Sequence, residues 1–188
     1  MPGSSKAVSF ATSNRGKVLE ARIIFKPFGL RVRPFSGKGA EIQADTTDVA
    51  SYSAREAARK YGRAVMVEDA GLFVEALDGF PGPFSAYVFK TIGIEGLLAL
   101  LEREKSRSAA FRSAVAYCAP DGEPHVFEGE VRGRITRSPK GRNGFGFDPV
   151  FLPTGSRKSM GELTLEEKCA ISHRGEAMRK FAAWYSRP

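Results

Sequence analysis

Four separated windows of this chain carry residue types suited to a charged, ring-bearing ligand. Thr12-Ser13-Asn14-Arg15-Gly16-Lys17 lies between an apolar run and a helical pattern. A helix start there would present free N–H groups and a partial positive charge, which suits phosphate, and Lys17 adds a point charge. The glycine and lysine order is not that of a Walker A loop. The plainer alternative is ordinary capping, with Asn14 or Ser13 as N-cap and Lys17 solvated. Glu68-Asp69-Ala70-Gly71 follows the apolar Ala64-Val65-Met66-Val67, a place where α/β proteins gather ligands. Glu41, with Asp45 and Asp48 further on, lies in a separate polar stretch. Carboxylates from separate segments suit Mg²⁺ when substrate phosphates complete its shell. Of the adjacent pair, Asp69 is the candidate ligand and Glu68 reads as a solvated turn acid.

Gly141-Arg142-Asn143-Gly144-Phe145-Gly146-Phe147-Asp148-Pro149 is not a Rossmann fingerprint, because its glycine order is wrong. Aromatics flanked by glycines stand clear of bulk, so a planar base could stack on one of them. Asp148 could bond a base or ribose edge. The alternative makes Phe145 and Phe147 core plugs on a tight turn. Lys168 and Ser172-His173-Arg174 form a dense donor set at two helix ends. Ser172 and His173 are adjacent in the chain, which rarely gives a nucleophile–base contact. Donors to carbonyls or phosphates are the better use. His125 reads as an exposed strand residue.

The elements that must position these windows alternate between strand and helix, which indicates an α/β protein. Residues 7–11 read as a buried strand. Val18, Ala21, Phe25 and Phe28 share one helix face that Gly29 can end. A half-buried strand follows at 30–33, a helix at 48–61 with Gly62 as its stop, and a short strand at 64–67 that delivers Glu68 and Asp69 at its end. The stretch 77–84, with two glycines and two prolines, reads as a rigid loop. Ile94, Leu97, Leu98 and Leu101 mark a helix. Long strands at 109–118 and 124–136 form a hairpin, and 137–146 is a basic, Gly-rich loop. Thr164 and Glu167 form a capping box, and Ser172 caps a last helix with Ala177, Met178 and Phe181 on its core face.

Composition narrows the class. The 188 residues carry 29 Lys plus Arg against 21 Asp plus Glu, a formal charge of +8 that favours an anionic partner. With 42% apolar residues, global disorder is excluded. The length suits one domain, read as two lobes over 1–188. No window is apolar enough to span a membrane, and no secretory leader is expected. Cys118 and Cys169 are too few for a disulfide framework and read as reduced core residues, as in a cytoplasmic protein. A basic nucleic-acid-binding module would need aligned Lys/Arg with interleaved aromatics, whereas here the basic residues are dispersed.

Taken together, the four windows resemble the inosine/xanthosine triphosphate pyrophosphatases. Glu68-Asp69-Ala70-Gly71-Leu72 with Ala76-Leu77-Asp78-Gly79-Phe80-Pro81-Gly82, and Ser172-His173-Arg174-Gly175-Glu176-Ala177, fall in that family's order with the two other windows. The resemblance implies an elongated mixed β-sheet flanked by helices, two lobes with a nucleotide cleft between them, and a homodimer. It implies Mg²⁺-dependent hydrolysis of nonstandard purine nucleoside triphosphates (ITP, dITP, XTP) to monophosphate and pyrophosphate, with no nucleic-acid or membrane partner. By position, Thr12, Ser13, Asn14, Arg15, Gly16 and Lys17 would hold phosphates. Glu41 and Asp69 would bind metal, Asp69 also acting as general base. Phe145 would stack on the base, and Ala70, Gly146, Phe147, Asp148, Lys168, His173 and Arg174 would contact substrate. Ala70 stands where many members carry Ser or Thr, Ser53 where many carry Lys, Phe147 where Tyr is common and Tyr87 where Arg is usual. Ser53 and Tyr87 resemble the family's archaeal branch. The related pyrophosphatases of modified pyrimidine nucleotides are the alternative reading.

Overall fold

The computed structural model describes residues 6–37 and 44–187. In chain order the elements are β1 (Ala7–Ala11), α1 (Arg15–Phe25), β2 (Arg31–Phe35), α2 (Thr46–Tyr61), β3 (Val65–Val74) and β4 (Pro81–Gly82). Then come α3 (Ser85–Thr91), α4 (Gly93–Leu100), β5 (Ser108–Cys118), β6 (His125–Ile135), β7 (Phe151–Pro153), α5 (Leu165–Ile171) and α6 (His173–Tyr185). The sheet is mixed and flanked by helices, with strand order β2-β1-β3-β5-β6-β7 and β4 paired to β3. β1 runs parallel to β2 and β3, whereas β3, β5, β6 and β7 are successively antiparallel.

Most expected ends are set by the residues that mark them. Asn14 caps α1 by accepting the Lys17 N–H at 3.1 Å. Gly62 ends α2 in the left-handed region, at φ 59°. Thr164 and Glu167 complete a capping box on α5, and the Ser172 hydroxyl accepts from Gly175 N at the start of α6.

β3 departs from expectation. It runs for ten residues, so Glu68 and Asp69 stand inside a strand and not at its end. The extension is held by β5, which pairs with it from Val65↔Cys118 to Val74↔Ala109. Gly71 permits it, since a Cβ there would lie 2.3 Å from the Gly82 carbonyl oxygen. α3 also falls between the loop at 77–84 and α4, beyond the single helix expected there.

Along one face of β3 and β5 lie two apolar cores. The first joins Phe10, Met66 and Val115 with Val18, Ala21 and Phe25 of α1 and Met178 and Phe181 of α6. The second joins Leu72, Val74 and Phe111 with Leu97 of α4, Phe147 and Phe151. On the opposite face, Ala50, Ala54 and Ala58 of α2 pack on Ala114, Ala116 and Cys118. Each fully buried Phe or Met contributes about 1.5–3 kcal/mol of burial. Between the two cores the same face carries Glu68 and Ser113, both buried, so a polar layer crosses the sheet where the cores would meet.

Candidate active site

β1 stops at Ala11, and β4 joins β3 only at Leu72 and Phe73. The edge of β3 at 68–71 is therefore left between two pairing strands, and the start of α1 faces it. Lys17 Nζ donates to the Glu68 carbonyl at 2.9 Å, and Ser85 Oγ accepts from Leu72 N at 2.7 Å, so even-numbered backbone groups of β3 point to this edge. By the two-residue period the Ala70 N–H points there as well. Thr12 Oγ1 accepts from Asn14 N at 3.1 Å, which shapes the loop before α1. Ser13 and Arg15 are exposed, while Thr12, Asn14, Gly16 and Lys17 are half-buried. Gly16 lies directly against Phe145: a Cβ on it would be 2.7 Å from Cδ1 of that ring.

Glu68 is no solvated turn acid. It is 5% exposed, because at period two it shares the face of Met66 and Leu72. Its Oε2 lies 2.8 Å from Lys17 Nζ, and its Oε1 accepts from Ser113 Oγ at 2.6 Å and lies 3.0 Å from Arg174 Nε. Burial pushes its carboxyl up, but Arg174 and Lys17 more than reverse this and bring it to about 2. Asp69, half-buried, falls on the other face with Val65 and Val67, opposite Ala114 in register. The two adjacent acids therefore serve opposite sides of the sheet. A cavity of about 490 Å³ on the α2 side is lined by Phe73, Arg112, Ala114 and Glu130 among others.

The base-facing candidates converge on one further carboxylate that sequence reasoning missed. Glu20 of α1 is 1% exposed. Its Oε2 accepts from Arg174 Nη1 at 2.7 Å, and its Oε1 lies 2.9 Å from Lys168 Nζ. Lys168 also donates to Asp148 Oδ2 at 2.6 Å, and the same oxygen accepts the Phe145 N–H at 2.7 Å. Lys17, Glu68, Arg174, Glu20, Lys168 and Asp148 thus form a chain of alternating charge. Burial raises the Glu20 carboxyl, yet Arg174 and Lys168 together hold it below its ordinary value. Burial leaves Asp148 above its ordinary value despite Lys168. Glu20 lies three residues after Lys17 and four before the buried Ile24, a spacing that alone does not set it apart from a solvated acid.

The Phe145 ring lies over these cations, 4.5 Å from Lys168 Nζ and 5.2 Å from the Arg174 guanidinium. Phe147 is 3% exposed and sits in the second core, edge-on to Phe89, while Gly146 takes a positive φ of 63° between them. One member of this pair is thus a core plug and the other is not. His173 is buried and stacked on Phe111 at 4.8 Å, with Nδ1 lacking a hydrogen-bond partner among the described residues. Burial, then Arg174, holds it well below its ordinary pKa, so it stays neutral. A cavity of about 390 Å³ opens on Lys168 between Asn143, Gly144 and the start of α5.

Glu41 lies outside the described residues, so the expected pairing of Glu41 with Asp69 has only one member on view. Among the described residues no group of three His, Cys, Asp or Glu could hold a metal by itself. A hard cation completed by phosphate oxygens and water needs only one or two carboxylates. Cys118 and Cys169 are both free and buried.

The Ham1 family model matches residues 8–184. The dITP/XTP pyrophosphatase of Methanopyrus kandleri is 52% identical over 179 residues, covering 95% of either chain. That of Thermococcus kodakarensis is 52% identical over 178 residues, covering 94% of this chain and 96% of the relative. Among solved structures, a HAM1 protein from Coxiella burnetii superposes with a TM-score of 0.86 at 29% identity, covering 96% of this chain and 98% of that one.

Proposed function

The chain belongs to the Ham1 family, and on that premise we propose that it hydrolyses nonstandard purine nucleoside triphosphates such as dITP, ITP and XTP to the monophosphate and pyrophosphate. The observation that carries this reading is the pair of buried donors, Lys168 and Arg174, held by Glu20 beneath the Phe145 ring. Hypoxanthine and xanthine present a carbonyl acceptor at C6, where adenine presents an amino donor. A donor facing the adenine amino group is left unpaired, at a cost of about 1–3 kcal/mol, or roughly ten- to a hundredfold. Phe145 supplies the stacking face. The exchange from cations to base requires that its ring give way to, or shift alongside, the incoming purine.

The triphosphate lies along the loop at 12–17, with Lys17 and the Ala70 N–H at the open edge of β3 as its donors. Asp69 orients the attacking water and takes its proton as general base. Asp69 and Glu41 would hold Mg²⁺, which when bound offsets charge on the phosphoryl oxygens. The two cores on either side of the polar layer, among the described residues, support one domain of two lobes over 1–188. Phe80, Phe84, Tyr87, Phe89, Ile92 and Leu100 are exposed apolar residues close in sequence, and a homodimer contact is the use assigned to them. No helix among the described residues is long and apolar enough to cross a membrane, and two free buried thiols suit a cytoplasmic setting.

The test is a panel of inosine, deoxyinosine, xanthosine, adenosine, guanosine and modified-pyrimidine triphosphates, assayed with products resolved and with chelator in parallel. The expected result is pyrophosphate release, lost with chelator, and a kcat/KM for the hypoxanthine and xanthine nucleotides about 10² above that for ATP. Steady orthophosphate release, or equal turnover of ATP, would overturn it.

A further inference from the structure

Glu68 stands between the two halves of the site. Lys17, on the phosphate loop, touches it through both the carboxylate and the backbone carbonyl, at 2.8 and 2.9 Å. Arg174, among the base-facing donors, lies 3.0 Å from the other oxygen. Ser113, 1% exposed, donates to that same oxygen from β5 at 2.6 Å and fixes the carboxylate plane. Glu20 accepts from Nη1 of Arg174, Glu68 lies against Nε as an ion-pair contact without a hydrogen bond, and neither carboxylate accepts from Nη2. Arg174 thus lies between two carboxylates, and the one against Nε has the phosphate-loop lysine as its other charge partner.

We propose that Glu68 is a positioning residue that couples phosphate binding at Lys17 to base reading by Arg174. This rests on the assignment of those two residues given above. A polyphosphate that draws Lys17 away from Glu68 leaves the carboxylate more fully to Arg174, which then holds Nη2 in a narrower range for the base. A phosphate anion and the Glu68 carboxylate compete for one ammonium, while Glu68 and the base carbonyl engage different nitrogens of one guanidinium. The sign of the coupling is therefore positive: polyphosphate tightens base binding, and by reciprocity the base tightens polyphosphate binding.

The experiment measures binding of inosine, the nucleoside alone, with and without saturating inorganic tripolyphosphate in metal-free buffer. It is run on the full chain and on Glu68→Gln, which keeps the acceptor for Ser113 and removes the charge. The wild-type chain is expected to bind inosine about fivefold or more tightly with tripolyphosphate, and the variant to show a factor near one. The preference for the inosine over the adenosine triphosphate should fall by a similar factor in Glu68→Gln. A merely structural role would weaken both ligands without removing their coupling. If Glu68→Gln does not fold, Ser113→Ala, which keeps the charge but loses the orienting bond, carries the test and should lower the coupling factor. A wild-type chain that does not prefer the inosine nucleotide refutes the base-reading assignment itself. A wild-type chain that prefers it, beside a variant with unchanged coupling, overturns the role given to Glu68 alone.

Discussion

Glu20→Gln keeps the shape of a side chain that is 1% exposed and removes its charge from between Lys168 and Arg174. Removing one partner of a buried ion pair costs about 3–5 kcal/mol, because the other charge is left in the interior. Here each cation keeps a second carboxylate, Asp148 at 2.6 Å for Lys168 and Glu68 at 3.0 Å for Arg174. The amide oxygen can also still accept one hydrogen bond. The low end therefore applies, about 3 kcal/mol. For a chain of this size about 2–4 °C of melting temperature accompanies each kcal/mol, so the midpoint should fall by about 6–12 °C at pH 7. The folded Glu20 carboxyl lies below its reference value of 4.5, burial opposing and Arg174 and Lys168 prevailing. Its stabilisation is thus complete above the unfolded value and is lost as pH falls through the folded one. Thermal melts of both chains from pH 7 downward should show the gap narrowing only below about pH 4.5. A variant that melts within 2 °C of wild type (about the effect of 1 kcal/mol or less), or a gap that ignores pH, would refute the view that Glu20 offsets the two buried cations.

Two further substitutions probe the catalytic assignment and the stacking face. Asp69→Asn should lower kcat by at least ~10²-fold while KM changes little, read in steady-state turnover of the inosine nucleotide. Glu68 is not available to stand in, being tied to Lys17 and Arg174 on the opposite face of β3, so near-wild-type turnover would move the base role to another segment. Gly16→Ala should displace the Phe145 ring, since its Cβ would lie 2.7 Å from that ring's Cδ1. Stacking on an aromatic contributes about 1–3 kcal/mol per base, so KM should rise about tenfold with little change in melting temperature. An unchanged KM would show that the ring is not the base's platform.

The fold was legible wherever one residue type marks a boundary: Asn14 at the start of α1, Gly62 after α2, Thr164 with Glu167, and Ser172. It was misread at β3, where the expected strand ends at Val67 and the observed one runs on to Val74, with Gly71 leaving room for the Gly82 carbonyl. That error placed Glu68 in solvent, although the alternation of Met66, Glu68 and Leu72 already put it on a buried face. The donors Lys168 and Arg174 were visible as types, but the acid between them was not. Glu20 sits in an ordinary helix, and an acid three residues from a lysine looks like any solvated pair. What makes it different is the packing of α5 and α6 over α1, a contact across about 150 residues that local pattern does not encode (|i−j| is 154 for Arg174 and Glu20). The separation of Phe145 from Phe147 likewise depends on which ring reaches the second core.

The alternating chain through Lys17, Glu68, Arg174, Glu20, Lys168 and Asp148 has three formal positive and three formal negative charges, and they cancel. None of the chain's surplus of +8 therefore resides in it. Capture and recognition are then carried by different charges. The outer field draws in any polyanion and weakens over a Debye length of roughly 8 Å in physiological salt. The inner chain is electrically quiet until a ligand replaces one of its members, so it acts as a lock whose tumblers are ion pairs, indifferent to a polyanion that cannot make the exchange.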